Sequence, residues 1–286
     1  MTALLDVLAA GAARPAFTPR AVILDLDGTV LDHTPRLHPR VRDTVRRVAQ
    51  RVPVIIATGR MYRSALPWAR DLGVVEPLVC YDGAMVRTMP APGDDIGTVV
   101  QSLPLRREPA IHALRIARQH DWYYQAYPDE QLLCEQLRPE ADLYALIAGV
   151  PVRPVGDLEP FLDAGTPKAL CVIPDPGEAQ LCVSVMRAEL GSTARITQSR
   201  SEYIEIIDPA VSKAAACATV CARLGFTLAE CAAVGDAPND IELLEAAGFA
   251  AAVDSAAPAV RAHADVLCAP PEGAGVADVL DALIPT

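Results

Sequence analysis

The chain has 286 residues, 51% of them hydrophobic, and a formal net charge of −11. That length supports one large domain or two modest ones. An acidic chain without a basic block is excluded from general nucleic-acid binding, which relies on Lys and Arg against phosphates. No apolar run approaches the ~20 residues of a membrane-spanning helix, so no membrane role is expected.

Residues 1–20 read as an N-terminal arm. Leu4, Leu5, Val7 and Leu8 are apolar, but no Lys or Arg precedes them and Asp6 interrupts the run, unlike a secretory signal. The eight cysteines form no C-x-x-C pair. They read as small core residues in a reducing compartment, so a cytoplasmic location is expected.

Residues 21–24 form an apolar strand run that ends at Asp25. Over 40–51, Val41, Val45 and Val48 share one helical face. A second strand over 52–57 ends at Thr58-Gly59-Arg60, and a helical stretch runs on to Leu72, with Pro67 expected to bend or split it. A third strand at 78–81 ends at Asp82-Gly83. Strands alternating with helices predict a parallel sheet covered on both faces.

From residue 84 the chain is richer in proline and aromatics. Strand patterns at 98–103, 168–173, 194–198 and 202–207 mix with helical ones at 108–120 and 176–190. This predicts an α+β module inserted into the first, with the core at 21–84 and 208–286 and the insert at 85–207. The first rhythm then returns. Residues 213–224 form a helix, with Ser212 its N-cap and Gly225 its stop. Strand 231–234 ends at Gly235-Asp236, Pro238 opens a helix that Gly248 closes, and short strands follow at 250–253 and 266–267.

The ends of these strands carry the chemistry. In an open parallel sheet, ligands bind at the carboxyl ends of the strands, so Asp25, Thr58, Asp82 and Asp236 would meet in one crevice. Taken singly, each also reads as an ordinary turn residue. Asp25-Leu26-Asp27-Gly28-Thr29 is sharper, because i and i+2 of an extended chain face one way and Gly28 allows the turn. Two neighbouring carboxylates repel unless a cation or a proton lies between them. Asp236, Asn239 and Asp240 add further oxygens, and an all-oxygen set suits Mg²⁺ above zinc. Lys168 and Lys213 are the chain's only lysines. Lys168 reads as a survivor of an arginine-biased composition, without a role.

Four segments in this order resemble the haloacid dehalogenase-like phosphatases, and within them the Cof-like branch. They are Asp25-Leu26-Asp27-Gly28-Thr29, Ala57-Thr58-Gly59-Arg60, Lys213 at the end of Asp208-Pro209-Ala210-Val211-Ser212-Lys213, and Gly235-Asp236-Ala237-Pro238-Asn239-Asp240. The resemblance implies an α/β fold: a Rossmann-like parallel-sheet core, with the insert as a large cap that selects the leaving group. It also implies roles. Asp25 would be the nucleophile and a Mg²⁺ ligand. Asp27 would be the general acid and base, with its carbonyl oxygen on the metal. Thr58, Gly59 and Arg60 would bind the phosphoryl group, and Lys213 would neutralise it. Asp236 would complete the metal set, with Asn239 and Asp240 in support and Asn239 also near the phosphate. Asp82-Gly83 stands where many relatives have Asn-Gly.

The expected function is therefore a Mg²⁺-dependent phosphatase acting on a small phosphorylated metabolite, such as a sugar phosphate, through an aspartyl phosphate. The protein would be a monomer or homodimer. The rivals are a phosphosugar phosphomutase and a metabolite-binding protein on the same scaffold. Arg195, Arg200 and Tyr203, near the return to the core, could touch a substrate, but they read first as exposed strand residues on a sheet face.

Overall fold

The computed structural model describes residues 17–285, so the arm's residues 1–16 lie outside it. The central sheet contains β1 (Ala21–Leu24), β2 (Val54–Ile56), β12 (Cys231–Gly235), β13 (Phe249–Val253) and β14 (Val266–Cys268). Their order is β14-β13-β12-β1-β2, and every pairing is parallel.

Strict alternation along β1 sends its side chains into two separate cores. Val22 and Leu24 pack with Val41, Val45 and Val48 of helix α1 (Pro39–Ala49). Ala21 and Ile23 face the other way, toward Ala216, Cys217, Val220 and Cys221 of helix α6 (Lys213–Arg223). Helices on both faces leave β1, β12 and β13 wholly buried, which explains why they read as unbroken apolar runs. All eight cysteines are buried.

Helix α2 (Tyr62–Asp71) runs through Pro67 as one helix, so the proline does not split it. Its buried Ala65, Leu66 and Ala69 hold it to the core despite the missing N–H. Ser212 caps α6 as expected, its hydroxyl accepting from the Ala215 N–H.

Strand β3 (Leu78–Cys80) is not a regular member of the parallel sheet. It pairs antiparallel with β4 (Met85–Arg87), which pairs with β5 (Val99–Ser102). A single parallel bridge, Ala57 to Val79, ties it to β2. Residues 85–102 are thus hydrogen-bonded to the core's edge and not to the inserted sheet.

That inserted sheet has six strands. They are β6 (Tyr124–Ala126), β7 (Leu132–Cys134), β8 (Val152–Pro154), β9 (Ala169–Val172), β10 (Arg195–Arg200) and β11 (Tyr203–Ile207), in the order β10-β11-β9-β6-β7-β8. Helices α3 (Arg107–Gln119) and α5 (Pro176–Leu190) cover one face, on which Ile204 and Ile206 pack. The alternate positions of β11, Tyr203 and Glu205, take the opposite face, toward the core. Helix α4 (Pro139–Ala148) lies on that side and places Tyr144 beside Tyr203, with ring centroids 5.6 Å apart.

Candidate active site

Register brings the first two carboxylates together. Leu24 pairs with Val234 in adjacent parallel strands, so Asp25 leaves the sheet level with Gly235, and Asp236 follows one residue on at the same edge. The close approach depends on Gly28. Its φ is +86°, and a Cβ there would lie 2.2 Å from Asp236 Oδ2. Thr29 donates its hydroxyl to Asp236 Oδ1 at 2.8 Å and fixes the carboxylate's rotation.

Lys213, the first residue of α6, reaches the centre of this group. Its Nζ donates to Asp25 Oδ1 and Asp240 Oδ1, both at 2.7 Å, in a fully buried arrangement. Burial works against the ammonium, but Asp240 and Asp25 outweigh it and hold Lys213 well above its ordinary pKa. Burial, with Asp240 and Asp236 adding repulsion, pushes Asp25 well up even though Lys213 opposes it. Asp236 is pushed up to about 7, by burial first and then by Asp240.

Carboxylate oxygens of Asp25, Asp236 and Asp240 lie within 4.8 Å of one another. Asp240 is already committed: Oδ1 accepts from Lys213, and Oδ2 accepts the Asp236 and Ala237 N–H groups at 3.2 and 3.1 Å. Asp25 and Asp236 each keep one oxygen free of the bonds described here. Those two free oxygens, next to a carboxylate crowded by like charge, fit a hard divalent cation such as Mg²⁺.

Asp27 stands apart, with its side chain 31% exposed at the cleft. Arg60 grips it with both ends of its fork, Nε and Nη2 each 2.7 Å from a carboxylate oxygen. Arg60 Nη1 also donates to Ser64 Oγ and to the Ile147 carbonyl of α4. The guanidinium is therefore engaged with Asp27 and the insert, and Arg60 lines the cleft that also holds Asp25 and Asp236. Thr58 is fully buried, its hydroxyl oxygen accepting from the Arg60 N–H at 3.1 Å.

Asn239 donates Nδ2 to Asp82 Oδ1 at 2.7 Å. Asp82 adopts φ +59°, a left-handed conformation that Asp tolerates better than most residues.

Lys168 departs from its expected lack of a role. It is buried and lines the cleft, with Nζ donating to the Gly59 carbonyl at 2.7 Å and to Glu205 Oε1 at 2.8 Å, while Asp82 Oδ2 lies 3.6 Å away. Glu205 went unnoticed in the sequence; the scarcity of lysine was the one signal that pointed to its partner. Tyr203 is 5% exposed and, with Arg200, also lines the cleft, whereas both were expected on an open sheet face. Arg195 lies elsewhere, paired with Glu242 at 3.0 Å.

Gly28→Ala is expected to push Asp236 out of place, at a position where φ already disfavours a side chain. The apparent Mg²⁺ affinity, read from a titration of phosphatase activity, should fall at least tenfold. Unchanged Mg²⁺ dependence would remove Asp236 from the metal set.

The family model described as haloacid dehalogenase-like hydrolase matches residues 22–280. A phosphoglycolate phosphatase of Archaeoglobus fulgidus is 30% identical over 267 residues, covering 93% of this chain and 98% of that protein. An HMP-PP phosphatase of Serratia proteamaculans is 27% identical over 244 residues, covering 85% of this chain and 86% of that one. Among solved structures, a haloacid dehalogenase-like hydrolase from Bacteroides thetaiotaomicron superposes with a TM-score of 0.81 at 23% identity, over 92% of this chain and 98% of its own. No helix among the described residues is long and apolar enough to cross a membrane.

Proposed function

The chain belongs to the haloacid dehalogenase-like hydrolases, and on that premise we propose that this phosphatase is Mg²⁺-dependent and cleaves the phosphate ester of a small metabolite through an aspartyl phosphate on Asp25. One observation carries the reading: a buried lysine holds one oxygen of Asp25, whose carboxylate clusters with those of Asp236 and Asp240 and lines the cleft.

Asp25 and Asp236, with the Asp27 backbone carbonyl, would hold the cation. Bound there, Mg²⁺ supplies positive charge against the phosphoryl oxygens. Lys213 adds a fixed ammonium, already paired and desolvated, so little reorganisation is needed as charge develops. The free oxygen of Asp25 attacks phosphorus, forming an O–P bond as the ester P–O bond breaks. Asp27, once the Arg60 fork releases one of its two oxygens, gives a proton to the departing alkoxide. It then takes a proton from the water that attacks the aspartyl phosphate, which frees Asp25 and releases inorganic phosphate. Arg60 keeps Asp27 aimed at the cleft. Asp240 acts at one remove, tying Lys213 to the backbone that carries Asp236.

The test is phosphate release from p-nitrophenyl phosphate. Activity should appear with Mg²⁺, vanish with EDTA and return when Mg²⁺ is restored. Full turnover in EDTA, or none with Mg²⁺, is incompatible with this mechanism.

A further inference from the structure

Three successive carbonyls in the loop Thr58-Gly59-Arg60 are held from different sides. The Thr58 carbonyl accepts from the Asp82 N–H at 3.1 Å and the Arg60 carbonyl from the Tyr81 N–H at 3.0 Å, so both are tied to the core. The Gly59 carbonyl between them accepts instead from Lys168 Nζ at 2.7 Å, across the boundary between core and insert. The Gly59–Arg60 peptide is therefore gripped at both ends. Its carbonyl meets Lys168, and its N–H donates to Thr58 Oγ1 at 3.1 Å. This peptide sets the root of the Arg60 side chain, whose fork holds Asp27.

Lys168 is itself held firmly. It leads into β9, which lies between β11 and β6 in the inserted sheet. Thr166 Oγ1 donates to the Lys168 carbonyl at 2.7 Å and accepts from the Tyr127 N–H at 2.9 Å, which pins the backbone. The side chain is buried, and Glu205 Oε1 accepts from its ammonium at 2.8 Å while also accepting from Ser199 Oγ at 3.0 Å. Asp82 Oδ2, which makes no hydrogen bond, lies 3.6 Å from the same ammonium. Burial works against the charge, but Glu205 and then Asp82 outweigh it and hold Lys168 above its ordinary pKa. A pair that served the insert alone would be complete with Glu205. The further bond, to a core carbonyl in the cleft wall, needs another account.

We propose that Lys168 is a positioning residue for phosphoryl transfer: reaching from the insert, it locks the Gly59–Arg60 peptide and so holds the Arg60 fork, and with it the proton carrier Asp27, in place at the cleft. This rests on the phosphatase reading above. Lys168 acts through Gly59 and Arg60, not on the reacting atoms. Packing of the insert on the core then completes the loop that aims the general acid. Without the ammonium the Gly59 carbonyl loses its partner and the peptide is free to rotate, taking the Arg60 root with it. A shift of ~1 Å at a catalytic group is enough to cost about 10²-fold in rate.

The experiment compares single-turnover phosphorylation rates at saturating Mg²⁺ on p-nitrophenyl phosphate and on an alkyl ester, the better wild-type substrate of glycerol 1-phosphate and glucose 6-phosphate. The enzymes are the wild type, Asp27→Asn, Lys168→Met and the double variant Lys168→Met with Glu205→Gln. Methionine keeps the length of the side chain and removes the donor. Glu205→Gln in the double variant removes the carboxylate that would otherwise stay buried without its partner. Both Lys168 variants should slow by about 10- to 100-fold on the alkyl ester. On p-nitrophenyl phosphate, whose leaving group needs no proton, the loss should be smaller by at least about fivefold. A purely structural defect lowers the active fraction and affects both esters alike, so the ratio isolates positioning. Equal losses on the two esters, or no loss, in the Lys168 variants while Asp27→Asn shows the split overturn the inference and leave the phosphatase reading intact. A double variant that does not fold assigns Lys168 to the structure alone and also overturns it. A wild type that phosphorylates from no alkyl ester, or an Asp27→Asn without the split, overturns the reading on which the inference rests.

Discussion

Lys213→Ala is expected to reduce kcat by roughly 10²–10³-fold, the range found when a preorganised transition-state donor is removed. It should also weaken the fold. The ammonium is the buried partner of two carboxylates, and deleting it leaves Asp25 and Asp240 facing each other without compensation. Breaking a buried pair in this way typically costs about 3–5 kcal/mol, visible as a lower urea midpoint. The sequence alone suggests loss of turnover with an intact fold; burial adds the stability penalty. Lys213→Arg tests the role more cleanly. A planar guanidinium keeps the charge but cannot occupy the point that lies 2.7 Å from both oxygens. Near wild-type kcat in purified Lys213→Arg would contradict the assignment.

The second large effect is expected at Asp27. Asp27→Asn keeps the shape and the backbone carbonyl but removes the proton carrier. On an alkyl phosphate, the phosphorylation step should slow by ~10²–10⁴-fold, the usual range for losing general acid–base assistance. On p-nitrophenyl phosphate the loss should be much smaller, because p-nitrophenolate departs without a proton. Single-turnover rates at saturating Mg²⁺ make the comparison. Equal losses on the two substrates, or a loss under tenfold on the alkyl ester, would rule out Asp27 as the leaving-group acid. The exposure of Asp27 at the cleft, against the burial of Asp25, is consistent with this division of labour.

The core was legible because its signals are local. Each buried parallel strand reads as an apolar run, and each functional group sits within a few residues of its end. Once Leu24 pairs with Val234, Asp25 falls level with Gly235, one residue short of Asp236, and Gly28 leaves the room for Asp236 to approach. The insert was less legible. β6 and β7 have three residues each, too short for alternation to show, and β6 carries a buried Gln125 that breaks an apolar reading. The residues of β3 read as a core strand, but the hairpin that follows draws it into a separate antiparallel sheet.

Lys168 and Glu205 illustrate the deeper difficulty. They are 37 positions apart, on strands β9 and β11 or just before them, and Lys168 also reaches back 109 positions to Gly59. No spacing rule links groups that meet only when the insert packs on the core. Arg60 is hard to read for a different reason: a guanidinium in a strand-end loop suits phosphate, and only the fold reveals that its fork holds Asp27.

The central claim is that Asp25 carries the phosphoryl group. The direct measurement is a rapid quench of the Mg²⁺-loaded enzyme during turnover of a phosphate ester, followed by borohydride reduction and peptide mass spectrometry. Reduction of an aspartyl phosphate converts that residue to homoserine. The account predicts homoserine at position 25 in the wild type and none there in Asp25→Asn, which should also be inactive. Turnover accompanied by modification at another residue, or sustained turnover by Asp25→Asn, would contradict it.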